Sequence, residues 1–247
     1  LSYHAGAVGI PAYAKTERGS AFVLMLGAPR EQMAEAIPFS RLIFARQKYA
    51  LIDELKDLDP QDRISPVLEA LGGKGRYGEL SVETPDSDEA RQLAGLAKAF
   101  GNALRPALRK RGLLTDKPNP KLPTLHVVFV RNNHLLLASS TADDCSPWPM
   151  GIPRLKRDSR APSGSAMKLD EALACLMTPA ERMNLISEGM TAADLGASPG
   201  GWSWVLAKHH MRVTAIDNGP IHADALATGL IEHIRADGFQ WQPARTL

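Results

Sequence analysis

Two patterns follow one another along the 247 residues and predict an α+β N-terminal part followed by an incomplete α/β part of the doubly wound kind. Short alternating strands and one long amphipathic helix fill the first 145 residues, and after residue 190 a strand, a glycine turn and a helix follow in order. With 44% hydrophobic and 23% charged residues, the chain can bury substantial cores and divide into two or three compact units.

Residues 12–17 and 21–26 read as short strands, and residues 30–44 as a helix with Met33, Ile37 and Leu42 only roughly periodic. This small α+β unit is assigned to residues 1–50. A strand-like run at 47–55 leads to Asp59-Pro60-Gln61-Asp62, a helix-start signal, and to an apolar helix at 64–71 stopped by Gly72-Gly73. Tyr77, Leu80 and Val82 alternate with Glu79, Ser81 and Glu83. Ser87-Asp88-Glu89 then caps a helix reaching about residue 114, with Leu93, Leu96, Phe100 and Leu104 on one face. Residues 124–130 and 134–139 flank Arg131-Asn132-Asn133 as a hairpin, the Asn pair tolerating the positive φ of a tight turn. The second unit spans 51–145. Residues 146–164 turn to Pro, Gly and basic residues and read as a connector, and the third unit spans 165–247.

Cys145 and Cys175 are the only cysteines and show no metal-binding spacing, which points to a reduced, cytoplasmic setting with no metal. No run approaches the roughly 20 apolar residues of a membrane span, and no signal segment opens the chain, so no membrane partner is expected. The chain begins at Leu1 and stops at Arg245-Thr246-Leu247 after a strand-like run, which leads us to expect missing ends and a poorly stable last segment.

Helices are expected at 168–177 and 178–188. The strand at 191–195 then passes Asp194 and enters the turn Gly196-Ala197-Ser198-Pro199-Gly200-Gly201, and a helix resumes at Trp202. Glycines let a ligand approach the backbone, and the helix N-terminus offers free N–H groups to a carboxylate or phosphate. The next strand, 212–216, ends on Asp217, where α/β nucleotide folds place an acid for ribose hydroxyls. A third, 231–236, ends on Asp237, whose carboxylate can accept from an adenine amino group. An ordinary strand-to-helix turn with capping aspartates fits the same residues. A dinucleotide site fits less well, because the order is G-x-x-x-G-G rather than G-x-G-x-x-G.

Arg105, Arg109, Lys110 and Arg111 crowd the end of the long helix, with Lys117 and Lys121 beyond and only Asp116 against them. They suit either phosphate contacts or a solvated helix C-terminus. Arg154, Lys156, Arg157 and Arg160 form a second basic run in the connector. Trp148 is read as a packed connector residue or a base-stacking one, and Trp202 as packing beneath the glycine loop.

The stretch D-L-G-A-S-P-G-G-W at 194–202 resembles the first motif of FtsJ-like ribose 2′-O-methyltransferases. Together with P-F-S-R-L-I-F-A-R-Q at 38–47, M-G-I-P-R-L-K at 150–156 and I-D-N-G-P at 216–220, it makes nearly the whole chain similar to a bacterial family of 23S rRNA cytidine 2′-O-methyltransferases. The resemblance implies a ferredoxin-like unit, a THUMP RNA-binding domain and a Rossmann-like methyltransferase domain. It further implies S-adenosylmethionine as cofactor, 23S rRNA as partner, and cofactor contacts at Ser165, Ser198, Pro199, Gly200, Gly201, Asp217 and Asp237. The family's Lys-Asp-Lys-Glu tetrad places its first lysine at Lys168, and its other three members fall on strands beyond residue 247. A ribose hydroxyl must lose its proton as it attacks, and a lysine with depressed pKa can serve. Two further readings stay open: an RNA-binding module with a passive cofactor fold, and an RNA base methyltransferase.

Overall fold

The structure is a computed structural model that describes residues 2–243, so Arg245, Thr246 and Leu247 lie outside the described residues. Contacts divide the chain into two compact units, residues 1–152 and 153–247. Each is built around its own sheet system.

The first unit opens with α1 (Ser2–Ala7), the antiparallel pair β1 (Tyr13–Thr16) and β2 (Val23–Leu26), and α2 (Arg30–Ala36). Ala5, Ile10 and Ile37 are its buried centre. The helix expected to reach residue 44 stops at Ala36. Pro38 pushes Ile37 out of helical geometry, to φ −123° and ψ 72°, and only a 3-10 turn, Phe39–Arg41, follows.

A four-stranded sheet follows, in the order β3 (Ala50–Leu55), β6 (His134–Ser140), β5 (Thr124–Arg131), β4 (Glu79–Glu83), with only β4 and β5 parallel. The strand expected from residue 47 starts at Ala50, because the side chains of Gln47 and Lys48 tether their segment. Gln47 bonds to Ser146, and Lys48 to Asp144 and to the carbonyls of Ala34 and Ile37. α3 (Ile64–Ala70), α4 (Asp88–Arg91) and α5 (Ala94–Lys110) complete the unit, and the Ser87 side chain caps α4 as expected. The single long helix of the sequence reading is thus two helices. Val67, Leu104 and Leu108 join Leu125, Val127, Phe129, Leu135 and Leu137 in one core, with Phe100 edge-on to Phe129 at 5.2 Å. The Asn132-Asn133 turn does not use positive φ. Val130 bulges instead, so that Phe129 pairs with Leu135 and Arg131 with His134, and the bulge supplies the twist of a primed turn.

Across the other face of this sheet runs a buried polar network that the sequence did not reveal. Glu83 accepts hydrogen bonds from Tyr49 Oη at 2.8 Å, from the Ser81 hydroxyl and from the Met150 backbone N–H at 2.9 Å. His126 stands 3.2 Å from Glu83 through Nδ1 and 2.8 Å from Ser140 through Nε2. Burial pushes the Glu83 carboxyl up, but the bonds from His126, Ser81 and Tyr49 outweigh it and hold it below its usual range. Through Met150 the network fastens the start of the connector to this sheet. Residues 146–152 therefore belong to the first unit rather than to a free linker.

The second unit contains α6 (Ser165–Leu176), α7 (Pro179–Leu185), β7 (Thr191–Leu195), α8 (Gly201–Lys208), β8 (Arg212–Ile216), α9 (Ala223–Leu226) and β9 (Ile231–Ile234). The strands form a parallel sheet in the order β7-β8-β9, and a Thr178–Glu181 capping box starts α7. Ala192, Val213, Ala215 and Ile231 share the face that meets Trp204 and Val205 of α8. Leu195, on the opposite face, is 57% exposed.

Candidate cofactor site at the strand ends

In a parallel sheet the ligand edge lies beyond the carboxyl ends of the strands. β7 reaches it first. Asp194, at the end of that strand, points inward rather than into the edge: its Oδ2 accepts from the Ser203 backbone N–H at 2.9 Å and from the Ser203 hydroxyl at 2.7 Å. Although Asp194, like Asp217 and Asp237, lies at a strand's carboxyl end in the sequence reading, it is a buried clamp on the first turn of α8.

The glycine turn is shaped by requirements a side chain cannot meet. Gly196 has φ +79° with no atom within 4 Å of where a Cβ would stand, so its surroundings are open. Gly200, at φ +102°, would put a Cβ 2.9 Å from Ile221. At Gly201 a Cβ would collide with the Ser163 and Ser165 hydroxyls. Those two hydroxyls lie 2.6 Å apart, so Ser163 belongs to this corner although sequence reasoning missed it; its proximity to Ser165 was the available signal. Ser198 and Pro199 join through a cis peptide at the turn's centre.

Asp217 ties the turn to the end of β8. Its Oδ1 accepts from the Gly219 N–H at 2.7 Å and its Oδ2 from the Ser198 N–H at 3.0 Å. These bonds, from Gly219 first and Ser198 second, hold the carboxyl below its usual range. Each oxygen keeps acceptor capacity for a ligand hydroxyl. The Ser198 hydroxyl donates to the Pro220 carbonyl at 2.9 Å, and a Cβ on Gly219 would stand 2.8 Å from it. His233, also unmarked in the sequence, contacts the Asp217 carbonyl through Nε2 at 3.0 Å.

The third acid lies beside this loop. β9 ends at Ile234, two residues earlier than expected, and Asp237 accepts from the Phe239 N–H at 2.9 Å. A Cβ on Gly238 would stand 3.3 Å from Leu195 and 3.5 Å from the Gly196 nitrogen. Gly196, Ser198, Asp217 and the Asp237 turn are thus assembled along one edge.

α6 approaches from the other side, packing on α8. Its first residue, Ser165, accepts from the Trp202 indole N–H at 3.1 Å. Trp202 is 47% exposed and does not pack beneath the loop as expected. Trp204 takes the buried position, because it lies about 200° further round the helix. Lys168, three residues after Ser165, lies on the same helix face, exposed and in no ion pair among the described residues.

The basic clusters are partly used internally. Arg105 pairs with Glu79 at 2.8 Å, and Arg109 donates to the carbonyls of Thr115 and Asp116. In the connector, Arg160 pairs with Asp158, while Arg154, Lys156 and Arg157 stay exposed. Trp148 has its indole N–H buried without a partner among the described residues. No described group of three His, Cys, Asp or Glu side chains is placed to hold a metal, and no described helix is long and apolar enough to cross a membrane.

Family models match along the chain: the RlmM ferredoxin-like domain at residues 1–49, the N-terminal region of ribosomal RNA large subunit methyltransferase M at 62–141, and the FtsJ-like methyltransferase at 162–240. "Ribosomal RNA large subunit methyltransferase M" of Xanthomonas campestris pv. campestris (strain B100) is 57% identical over 247 residues, covering all of this chain and 71% of that protein. Its counterpart from Xanthomonas euvesicatoria pv. vesicatoria (strain 85-10) is 56% identical with the same coverage. Among solved structures, a possible methylase from Clostridium difficile 630 aligns with TM-score 0.35 and 10% identity, covering 99% of this chain and 74% of that one. Identity of this extent, spread over every segment described above, makes the chain a member of the ribosomal RNA large subunit methyltransferase M family.

Proposed function

We propose that this chain carries the S-adenosylmethionine site of an enzyme that methylates the 2′-hydroxyl of a cytidine ribose in 23S rRNA. The observation that carries the reading is the open space at Gly196, on a loop whose shape Asp217 holds through Ser198. The residues suit that cofactor chemically. The backbone N–H groups of Gly201 and Trp202, which open α8 and have no acceptor among the described residues, receive its carboxylate, with Ser198, Pro199, Gly200 and Ser165 lining the same corner. Asp217 accepts from the ribose hydroxyls and Asp237 from the adenine amino group. When bound, S-adenosylmethionine supplies an electrophilic methyl group on a sulfonium.

Lys168 is the residue we assign as the first lysine of the catalytic tetrad, acting with the tetrad's other members as the substrate 2′-hydroxyl loses its proton, from its place on the Ser165 face of α6. The substrate sets the compartment, since rRNA is made and modified in the bacterial cytoplasm. Calorimetry of the full-length protein with S-adenosylmethionine, then nucleoside analysis of treated 23S rRNA, tests the reading. Saturable cofactor binding and 2′-O-methylcytidine are expected. A methylated base, or no heat of binding by a folded protein, would overturn it.

A further inference from the structure

Trp202 is fastened at one point and open elsewhere. Its indole N–H, the ring's only polar group, donates to the Ser165 carbonyl at 3.1 Å, yet the residue stays 47% exposed. A helical carbonyl points along the axis toward the N–H four residues on, so the Ser165 oxygen faces residues 168 and 169 of α6. An indole that reaches it stands at the turn carrying Lys168. Leu169 packs partly buried against the core of this unit while Lys168 is exposed, so the lysine is the one that shares solvent with the ring.

The neighbours of Trp202 hold it in place. On one side Gly201 lies against the Ser163 and Ser165 hydroxyls, close enough that a Cβ would collide with both. On the other, Asp194 accepts from both the N–H and the hydroxyl of Ser203. A side chain fixed in this way loses little freedom when a ligand settles on it. The other aromatic residues of 153–247 are Trp204, Phe239 and Trp241. Trp204 is buried, with Lys208 Nζ 4.6 Å from its ring centroid. Phe239 and Trp241 follow Asp237 at the Gly196 end of the glycine turn, whereas α6 meets its Gly201 end. Trp202 is therefore the aromatic face beside Lys168.

A ribose hydroxyl delivered to a lysine carries its base along, and proteins engage RNA bases where these are splayed out of their own stack. A splayed base regains stacking on an aromatic ring. We infer that Trp202 is the platform on which the base of the methylated nucleotide stacks. The inference rests on the proposed function and adds to it the residue that seats the target base. Every base has a π-face, so the platform holds the base without selecting cytidine. The Ser165 bond also suits a plain strut between α8 and α6, and the experiment separates the two.

The test uses the full-length protein carrying Trp202→Leu, which keeps an apolar side chain without a ring, or Trp202→Phe, which keeps a ring without the N–H. Each is assayed on 23S rRNA with the target cytidine intact and with that one base removed, its ribose left in place. Trp202→Leu should raise KM for the intact RNA roughly tenfold or more, with kcat changed less, and Trp202→Phe should recover most of that loss. On the abasic RNA, wild type and Trp202→Leu should have the same KM. The cofactor's carboxylate meets the residue's backbone N–H, so S-adenosylmethionine affinity and melting temperature should hold in both variants. A wild-type KM in Trp202→Leu, a Trp202→Phe as poor as Trp202→Leu, or a difference that persists on the abasic RNA would each overturn the inference alone. A wild-type protein that forms no 2′-O-methylcytidine would overturn the functional reading, and the inference with it.

Discussion

Ser198 donates its backbone N–H to Asp217 Oδ2 at 3.0 Å, so a residue of the β7–α8 turn and the residue after β8 are held as one piece. Asp217 therefore shapes the turn, and under the proposed reading it also faces the cofactor. Asp217→Ala should weaken S-adenosylmethionine binding at least tenfold by calorimetry, and Asp217→Asn less, because the amide oxygen can still accept one of the two N–H groups. The folded carboxyl lies below its ordinary 3.8, so its contribution to the loop is intact above that pH and fades as the pH falls through the depressed value. Equal affinity for wild type and Asp217→Ala would remove Asp217 from the site.

Gly196 separates backbone strain from ligand contact. Its φ of +79° makes Gly196→Ala cost about 1–2 kcal/mol in folding stability, yet the added methyl meets no protein atom within 4 Å. A modest drop in melting temperature with a much larger loss of cofactor binding is expected. If stability falls and binding holds, the open space there is not the cofactor's.

Lys168 is exposed and unpaired in the described structure, so its removal should leave the fold alone. Lys168→Ala should lower kcat for rRNA methylation by roughly 100-fold or more while the cofactor affinity and the melting curve stay as they were. Full turnover in that variant would remove Lys168 from the catalytic set.

Glu83 should contribute to the acid stability of the first unit. Burial raises its carboxyl and the bonds from His126, Ser81 and Tyr49 lower it further than burial raises it, for a net shift below the ordinary 4.5. A depressed folded value means that the stabilisation is complete above about pH 4.5 and lost as pH drops through the folded value. Glu83→Ala should cost roughly 3 kcal/mol in denaturant unfolding at neutral pH, because it strands several buried donors. Glu83→Gln should flatten the acid limb of the stability curve. An unchanged limb would show that other carboxylates control it.

The glycine turn, its flanking strand and helix, and the two acids at residues 217 and 237 were legible from residue order, because each depends on local backbone conformation and on chain spacing alone. The same holds for the hairpin at 124–140 and the Ser87 cap, whose signals lie within a few residues of one another. Other features depended on contacts between distant segments. Asp194 turned inward to Ser203, Trp202 outward while Trp204 took the core, and Ser163 entered the corner only because α6 packs on α8. Arg105 and Arg109 were withdrawn from the basic cluster by Glu79 and by backbone carbonyls. Sequence order specifies which groups a chain carries and which local turns they favour; which of them face each other, solvent or a ligand was decided by packing and long-range hydrogen bonding.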